Sequence, residues 1–236
     1  MAQGVRKHYV LDVAKFMDSD AREQPCYPIS YAAHLTQVPT STLRAWVAGR
    51  TYNTKAGKRK TQAVIKQAEP GYLSFVNLVE AHALAAMRRE YQLKLEIIRK
   101  AVRYVERELE VKHPLARQEF KTDGVGLFVE HFGKLLNVSH DGQFAIRDAL
   151  DARLERVEYE AGFARRLYPC VRPNQVEQPR LIVIDPTRSF GRPVLAGSGV
   201  PVASVQERFR GGESSHDLAE DFGVGVDAIE EALRAA

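Results

Sequence analysis

Between Pro28 and Gly49 the stretch "PISYAAHLTQVPTSTLRAWVAG" sets two short segments of helical periodicity either side of Val38-Pro39. This pattern limits the fold more than any other in the chain. Ser30 is a candidate N-cap, and Ala32, Ala33 and Leu35 give the first helix a small apolar face. Pro39 cannot continue a helix, and Thr40 can cap the next one. In the second helix Leu43, Trp46 and Val47 fall at i, i+3 and i+4 and so share one face, and Gly49 is a natural stop. The other face is expected to show Thr40, Ser41, Arg44 and Ala45, short groups plus one guanidinium. A helix that enters a major groove and touches bases and phosphates has that make-up. By helical phase Trp46 is a core residue, with phosphate contact as the alternative. Arg44 is the candidate for the groove.

Charge supports this reading. From Gln24 to Ala68 there is no Asp or Glu, against seven bases: Arg44, Arg50, Lys55, Lys58, Arg59, Lys60 and Lys66. Residues 69–179 carry seventeen bases and seventeen acids, whereas residues 180–236 carry six bases and nine acids. An acid-free basic block attracts polyanions through Coulomb force and counterion release, although a solvated loop would show the same charge. Within it, "RTYNTKAGKRKTQAVI" holds turn residues Lys55-Ala56-Gly57 between two short β-capable pieces. A basic hairpin is expected, a wing that lays Arg50, Lys55, Lys58, Arg59 and Lys60 along the phosphate backbone. On these residues, 27–66 resemble the winged helix-turn-helix of MerR-type regulators.

Past "AEPG" the pattern turns to long helices. Leu73, Val76, Leu78, Val79, His82, Ala85 and Ala86 recur at helical spacing with Ser74 as a possible cap. From about Leu95, residues Ile98, Ala101, Val102, Val105 and Leu109 form a second stripe that His113-Pro114 ends. Two such helices pack on each other or on a second copy of the chain. A homodimer would place two recognition helices on symmetric half-sites. His82, on the apolar side, reads as a core histidine. In residues 115–179 two Asp-Gly pairs surround "HFGK", which reads as a small antiparallel hairpin or meander with His131, His140 and Asp141 at turns. A short charged helix over "IRDALDARLERVEYEAG" and a strand over "FARRLYPCV" follow.

After the linker-like "CVRPNQVEQPR", residues 180–236 read as a buried strand and three short helices, Ala203–Arg210, Ser215–Phe222 and Val226–Ala235. Ser214 is a cap, and Val205, Phe209, Leu218, Phe222, Ile229 and Leu233 are the expected core. Asp227, Glu230 and Glu231 on the last helix would repel phosphates, so this unit is read as a partner-binding or oligomerising one. Gly197-Ser198-Gly199 lacks the Lys-Ser/Thr pair and third glycine of a phosphate loop.

"IDPTRSFGRPVLAGSGVPVASVQERFRGGESSHDLAEDFGV" is similar to a small helical domain of unknown function common beside PIN-domain toxins. "LSFVNLVEAHALAAMRREYQLKLEIIRKAVRYVERELEVKHPLA" is similar to the middle of longer proteins that join that domain to a helix-turn-helix, and those resemble VapB-type antitoxins. The family pattern Gly-Thr-Arg-Ile-Pro is Gly197-Ser198-Gly199-Val200-Pro201 here, without the arginine. The resemblance implies a type II antitoxin that represses its own operator and neutralises a PIN-domain ribonuclease by direct contact. Asp217, Glu220, Asp221, Glu230 and Glu231 are then candidates for a basic toxin surface, and Arg208 and Arg210 for its acidic site.

The expected fold is mainly α with small β elements, an α+β chain. Its expected units are a winged helix-turn-helix (24–68), a helical dimerisation or packing region (69–114), a small α+β connection (115–179) and a C-terminal three-helix domain (180–236). Expected partners are double-stranded operator DNA and a PIN-domain toxin. Two cysteines without paired spacing, short apolar runs and no opening signal segment point to a cytoplasmic protein without membrane contact. No triad, metal signature or nucleotide loop is present in the sequence pattern, so no enzyme, cofactor or metal is expected. The alternative is a free-standing helix-turn-helix regulator or nucleic-acid-binding interaction protein without a toxin.

Overall fold

A computed structural model describes residues 20–54, 57–91, 95–172 and 178–235. The described chain is mainly helical with small antiparallel two-stranded sheets, an α+β fold. Strand β1 (Tyr27–Pro28) leads into α1 (Ile29–Thr36) and α2 (Thr40–Ala48), followed by the β2 (Thr51–Thr54) and β3 (Gly57–Lys60) hairpin. Strand β4 (Tyr72–Leu73) pairs back with β1, Tyr27 opposite Leu73. That pairing sets α1 beside the start of α3 (Phe75–Tyr91).

Helix α3 is the hub. From Phe75 to Met87 every residue is buried, so this segment is covered on all sides. It packs on α1 and on α6 (His140–Leu154), while α4 (Leu95–Glu108) packs on α5 (Val125–Leu136). The stripes expected to pair with each other or with a second copy are thus covered by other helices of the same chain. His82 is fully buried, its Nε2 3.1 Å from the Arg153 carbonyl oxygen.

Residues 120–143 depart from the expected hairpin or meander. Phe120–Gly124 forms a wide π-type turn that runs straight into α5, and α6 follows after a left-handed Asn137. Val125, Phe128, Val129 and Phe132 are buried at helical spacing, and that periodicity outweighs the Asp-Gly turn signals. Asp141-Gly142 lies in the first turn of α6, where Ser139 Oγ accepts from the Gly142 N–H. His131 and His140 therefore lie on helices: His131 stacks on Tyr104 at 4.1 Å, and His140 meets Phe144 edge-on. The hairpin of this region comes later, β5 (Val157–Glu160) with β6 (Phe163–Leu167), so the charged helix ends at Leu154, earlier than expected.

One hydrophobic core runs from Tyr27 to Ile184 and joins the expected 24–68, 69–114 and 115–179 units. A second core belongs to the C-terminal unit, where β7 (Ile182–Val183) pairs with β8 (Val194–Leu195) below α7 (Val202–Arg210), α8 (Ser215–Phe222) and α9 (Val226–Arg234). Ser214 caps α8 as expected, its side chain accepting from the Asp217 N–H. Phe209 corrects the expected core, because it is 44% exposed. Val202 and Val205 are the buried residues of α7, and Phe209 continues their stripe into the last turn, where it is open to solvent. Residues 173–177 of the expected linker lie outside the described residues, but its ends are held. Arg156 donates to the carbonyls of Tyr168, Pro169, Gln178 and Pro179.

Candidate nucleic-acid interface and partner surface

Helix α2 buries Leu43, Ala45, Trp46 and Val47, and exposes Ser41, Arg44 and Ala48, with Thr40 half-buried. Trp46 is therefore a core residue. Ala45 was expected outside; it faces inward because it neighbours Trp46 on a helix whose buried stripe is wide. Two expected caps also differ. Pro28 and Pro39 hold the N-cap positions, and Ser30 and Thr40 lie inside the helices. The Pro39 carbonyl accepts from the N–H groups of Thr42 (2.8 Å) and Leu43 (3.0 Å), which starts the helix without a side-chain cap.

The wing is joined to this helix through its backbone. Gly49 has φ +75, and a Cβ there would meet the Thr61 carbonyl oxygen at 1.9 Å, so only glycine fits. Beyond it, the Arg50 N–H donates to Thr61 Oγ1 (2.7 Å) and the Thr61 N–H donates to the Arg50 carbonyl (2.8 Å), closing the hairpin base. The Trp46 carbonyl accepts from Val64 and Ile65 on the return segment. Tyr52 stands opposite Arg59 and Asn53 opposite Lys58 in the register. Lys58 and Lys60, two apart, share one face of β3 and are exposed. Lys55 and the hairpin tip lie outside the described residues. Among the described residues, Arg44, Arg50, Lys58 and Lys60 take part in no ion pair, so their charge faces solvent uncompensated.

A buried polar network anchors the wing's far end. It was not read from the sequence, although Asn77, Glu80 and His82 stand out as polar residues in an otherwise apolar helix. Asn77 Oδ1 accepts from the Ala68 (3.0 Å) and Ser74 (3.2 Å) N–H groups, and its Nδ2 donates to the Lys66 carbonyl (2.9 Å) and Glu80 Oε2 (3.0 Å). Glu80 Oε1 lies 3.2 Å from His113 Nδ1, and this carboxylate raises the His113 pKa against the burial that lowers it. Burial pushes the His82 pKa well below its ordinary value, helped by the nearby Arg153 charge.

On the C-terminal unit, Asp217, Glu220 and Asp221 are exposed on α8, and Glu230 is exposed on α9. Glu231 is not part of that surface. It is 1% exposed and pairs with Arg172 (2.9 Å) and Arg234 (3.3 Å). Arg208 is held by Glu213 and Asp221 and lies over the Phe222 ring, so it braces α7 against α8. Arg210 is exposed and forms no ion pair among the described residues. The outer face is therefore mainly acidic. Among the described residues no group of three or more His, Cys, Asp or Glu is placed to hold a metal ion, and no helix is long and apolar enough to cross a membrane.

Polar contacts also tie the segment around α1 to the C-terminal unit. The Tyr27 hydroxyl donates to the Gly191 carbonyl (2.8 Å), and His34 Nε2 lies 2.8 Å from the Ala235 carbonyl oxygen.

This arrangement is two short helices joined by a turn and followed by a basic hairpin, docked on a helical body that also carries an acidic three-helix unit. A family model described as a protein of unknown function (DUF433) matches residues 182–235, the acidic unit. The chain is 28% identical over 235 residues to a Mycobacterium tuberculosis protein named "Putative antitoxin VapB45", a match that covers 89% of this chain and 93% of that one. In fold it is similar to the crystal structure of Rv2018 from Mycobacterium tuberculosis, with a TM-score of 0.66 and 24% identity over 89% of this chain and 98% of the other.

Proposed function

We propose that this chain is the DNA-binding antitoxin of a type II toxin–antitoxin pair. It acts on two partners through two faces: α2 and the β2–β3 wing occupy its own operator and repress transcription, and the C-terminal unit neutralises a PIN-domain ribonuclease by direct contact. The observation that carries the reading is that Ser41 and Arg44 on α2 and Lys58 and Lys60 on the wing are all exposed, with no ion pair to these three bases among the described residues. Arg44 is placed to read a base edge, and the wing lysines to hold phosphates. Similarity to a protein named as an antitoxin supports the second partner.

A homodimer would fit a two-fold operator. Because α3 and α4 already cover their apolar faces within one chain, it would form through other surface. Co-expression with the neighbouring gene product, followed by co-purification and a growth assay, tests the toxin contact. Capture and rescue of growth are expected. Failure of the full chain to capture any neighbouring product, with operator binding retained, would favour a free-standing regulator.

A further inference from the structure

A cavity of about 530 Å³ opens between the helix-turn-helix and the C-terminal unit, and the reading above leaves it unused. One wall is α1, with Tyr31, His34 and Leu35; the other is Val202, Ala203 and Gln206 of α7; the floor is Cys170, Val171 and Ile182. Small-molecule sites have this size, lie at such junctions and are mainly apolar with a few converging polar groups.

The mouth is shaped by backbone few residues adopt. Ser189 and Phe190 both lie in the left-handed region, at φ 48 and 53, and Phe190 is 89% exposed over the opening. Gly191 behind them is tied to Tyr27. The loop therefore holds an aromatic ring in solvent at the rim of an apolar hollow.

Among the described residues that line the cavity, Arg192 and His34 are the basic side chains and Glu207 is the one carboxylate. Tyr31 and Arg192 both line this cavity, so a phenol and a guanidinium are available to one ligand. Arg153 and Arg156, outside the lining, are buried and form no ion pair among the described residues. Arg153 Nη1 has no hydrogen-bond partner.

We infer that this cavity binds a small apolar carboxylate, an aromatic acid or a medium-chain fatty acid. Its carboxylate sits at Arg192 and Tyr31, and its apolar body lies over Leu35, Ile182 and Val202 beneath Phe190. Because the two walls belong to the two functional units, an occupied cavity changes how α1 sits against α7 and with it the operator affinity. That last consequence rests on the proposed DNA-binding role; ligand binding does not.

The test uses the full chain and the apolar sulfonate 1-anilinonaphthalene-8-sulfonate as a fluorescent probe, displaced by decanoate or by neutral decanol. One probe per chain is expected, with decanoate displacing it better than decanol. Ala203→Trp, at an exposed position on α7, should fill the cavity and abolish probe binding with the melting temperature kept. Arg192→Ala should weaken decanoate about tenfold and leave decanol unchanged. Phe190→Ala should weaken both. Probe binding unaffected by Ala203→Trp, or equal displacement by decanol and decanoate, would overturn the proposal. Operator affinity is then read with and without decanoate. Ligand binding that leaves a measurable operator affinity unchanged rejects the coupling, and absence of operator binding altogether rejects the DNA-binding reading instead.

Discussion

The Tyr27 hydroxyl, at the entry to the helix-turn-helix, donates a 2.8 Å hydrogen bond to the carbonyl of Gly191, 164 residues later in the C-terminal unit. Gly191 has φ +71, and a Cβ there would lie 2.3 Å from that hydroxyl, so one glycine supplies both the turn and the room for the bond. The junction between the two faces of the molecule is thus built from directed contacts.

Tyr27→Phe should cost about 1 kcal/mol of stability, since it leaves a buried carbonyl without its donor. Gly191→Ala should cost more, from the strained φ and the clash. The two should not add: the clashing atom is the hydroxyl that Phe lacks, so Gly191→Ala should be less harmful in the Tyr27→Phe background. A double-mutant cycle by chemical denaturation measures this, and strict additivity would mean the two groups are not in contact.

Arg44→Ala should weaken operator binding by about 1–3 kcal/mol and relax preference at one base position. Lys58→Ala should weaken all sequences about equally. Selection of bound sites from a random pool separates the two, and an unchanged site with Arg44→Ala would move the reading element elsewhere.

Two histidines give stability opposite pH dependences. His113 has a raised pKa in the folded chain, where Glu80 pairs with it and Glu23 and Glu106 add to the field. Its contribution is full below the unfolded value of about 6.5 and is lost as pH rises through the higher folded value. His82 has a lowered folded pKa, with Arg153 and Arg156 nearby. It costs stability as pH falls below about 6.5, where only the unfolded chain takes up the proton. His113→Asn, which keeps a residue tolerant of the left-handed backbone there, should cost about 1 kcal/mol at pH 6 and less at pH 8. Thermal melts across that range check it, and an equal loss at both ends would remove the ion pair from the account.

Reversing exposed carboxylates on the C-terminal unit, Glu220→Lys with Glu230→Lys, should weaken capture of the neighbouring gene product while operator affinity stays the same. Glu231→Gln should instead lower stability, because it leaves Arg172 with a weaker partner inside the fold. Loss of capture with Glu231→Gln at unchanged stability would return that residue to the contact surface.

The two short helices before the hairpin and the three C-terminal helices are legible because their cues are local: the Leu43, Trp46 and Val47 spacing, Gly49, and the Ser214 cap. Residues 120–143 depart from the expected hairpin because Asp-Gly marks a hairpin turn only when strands flank it, and Ser139 places the second pair in the first turn of a helix. Glu231 and Arg172 lie 59 residues apart, and no local pattern predicts that they meet. The same holds for the Asn77–Glu80–His113 network, which needs α3 and the wing's return segment side by side.

On the proposed reading, the α2–wing surface holds DNA. Removing residues 24–68 would strip Leu43, Trp46 and Val47 from the shared core, so substitutions test it more cleanly than truncation. The measurement is the affinity of the full chain for the DNA upstream of its own gene at rising salt, repeated with Lys58→Ala and with Lys58→Ala/Lys60→Ala. A steep fall of log affinity with log salt is predicted, its slope shallower by about 1 for each lysine removed. Affinity indifferent to salt, or a slope that both variants leave unchanged, would contradict it.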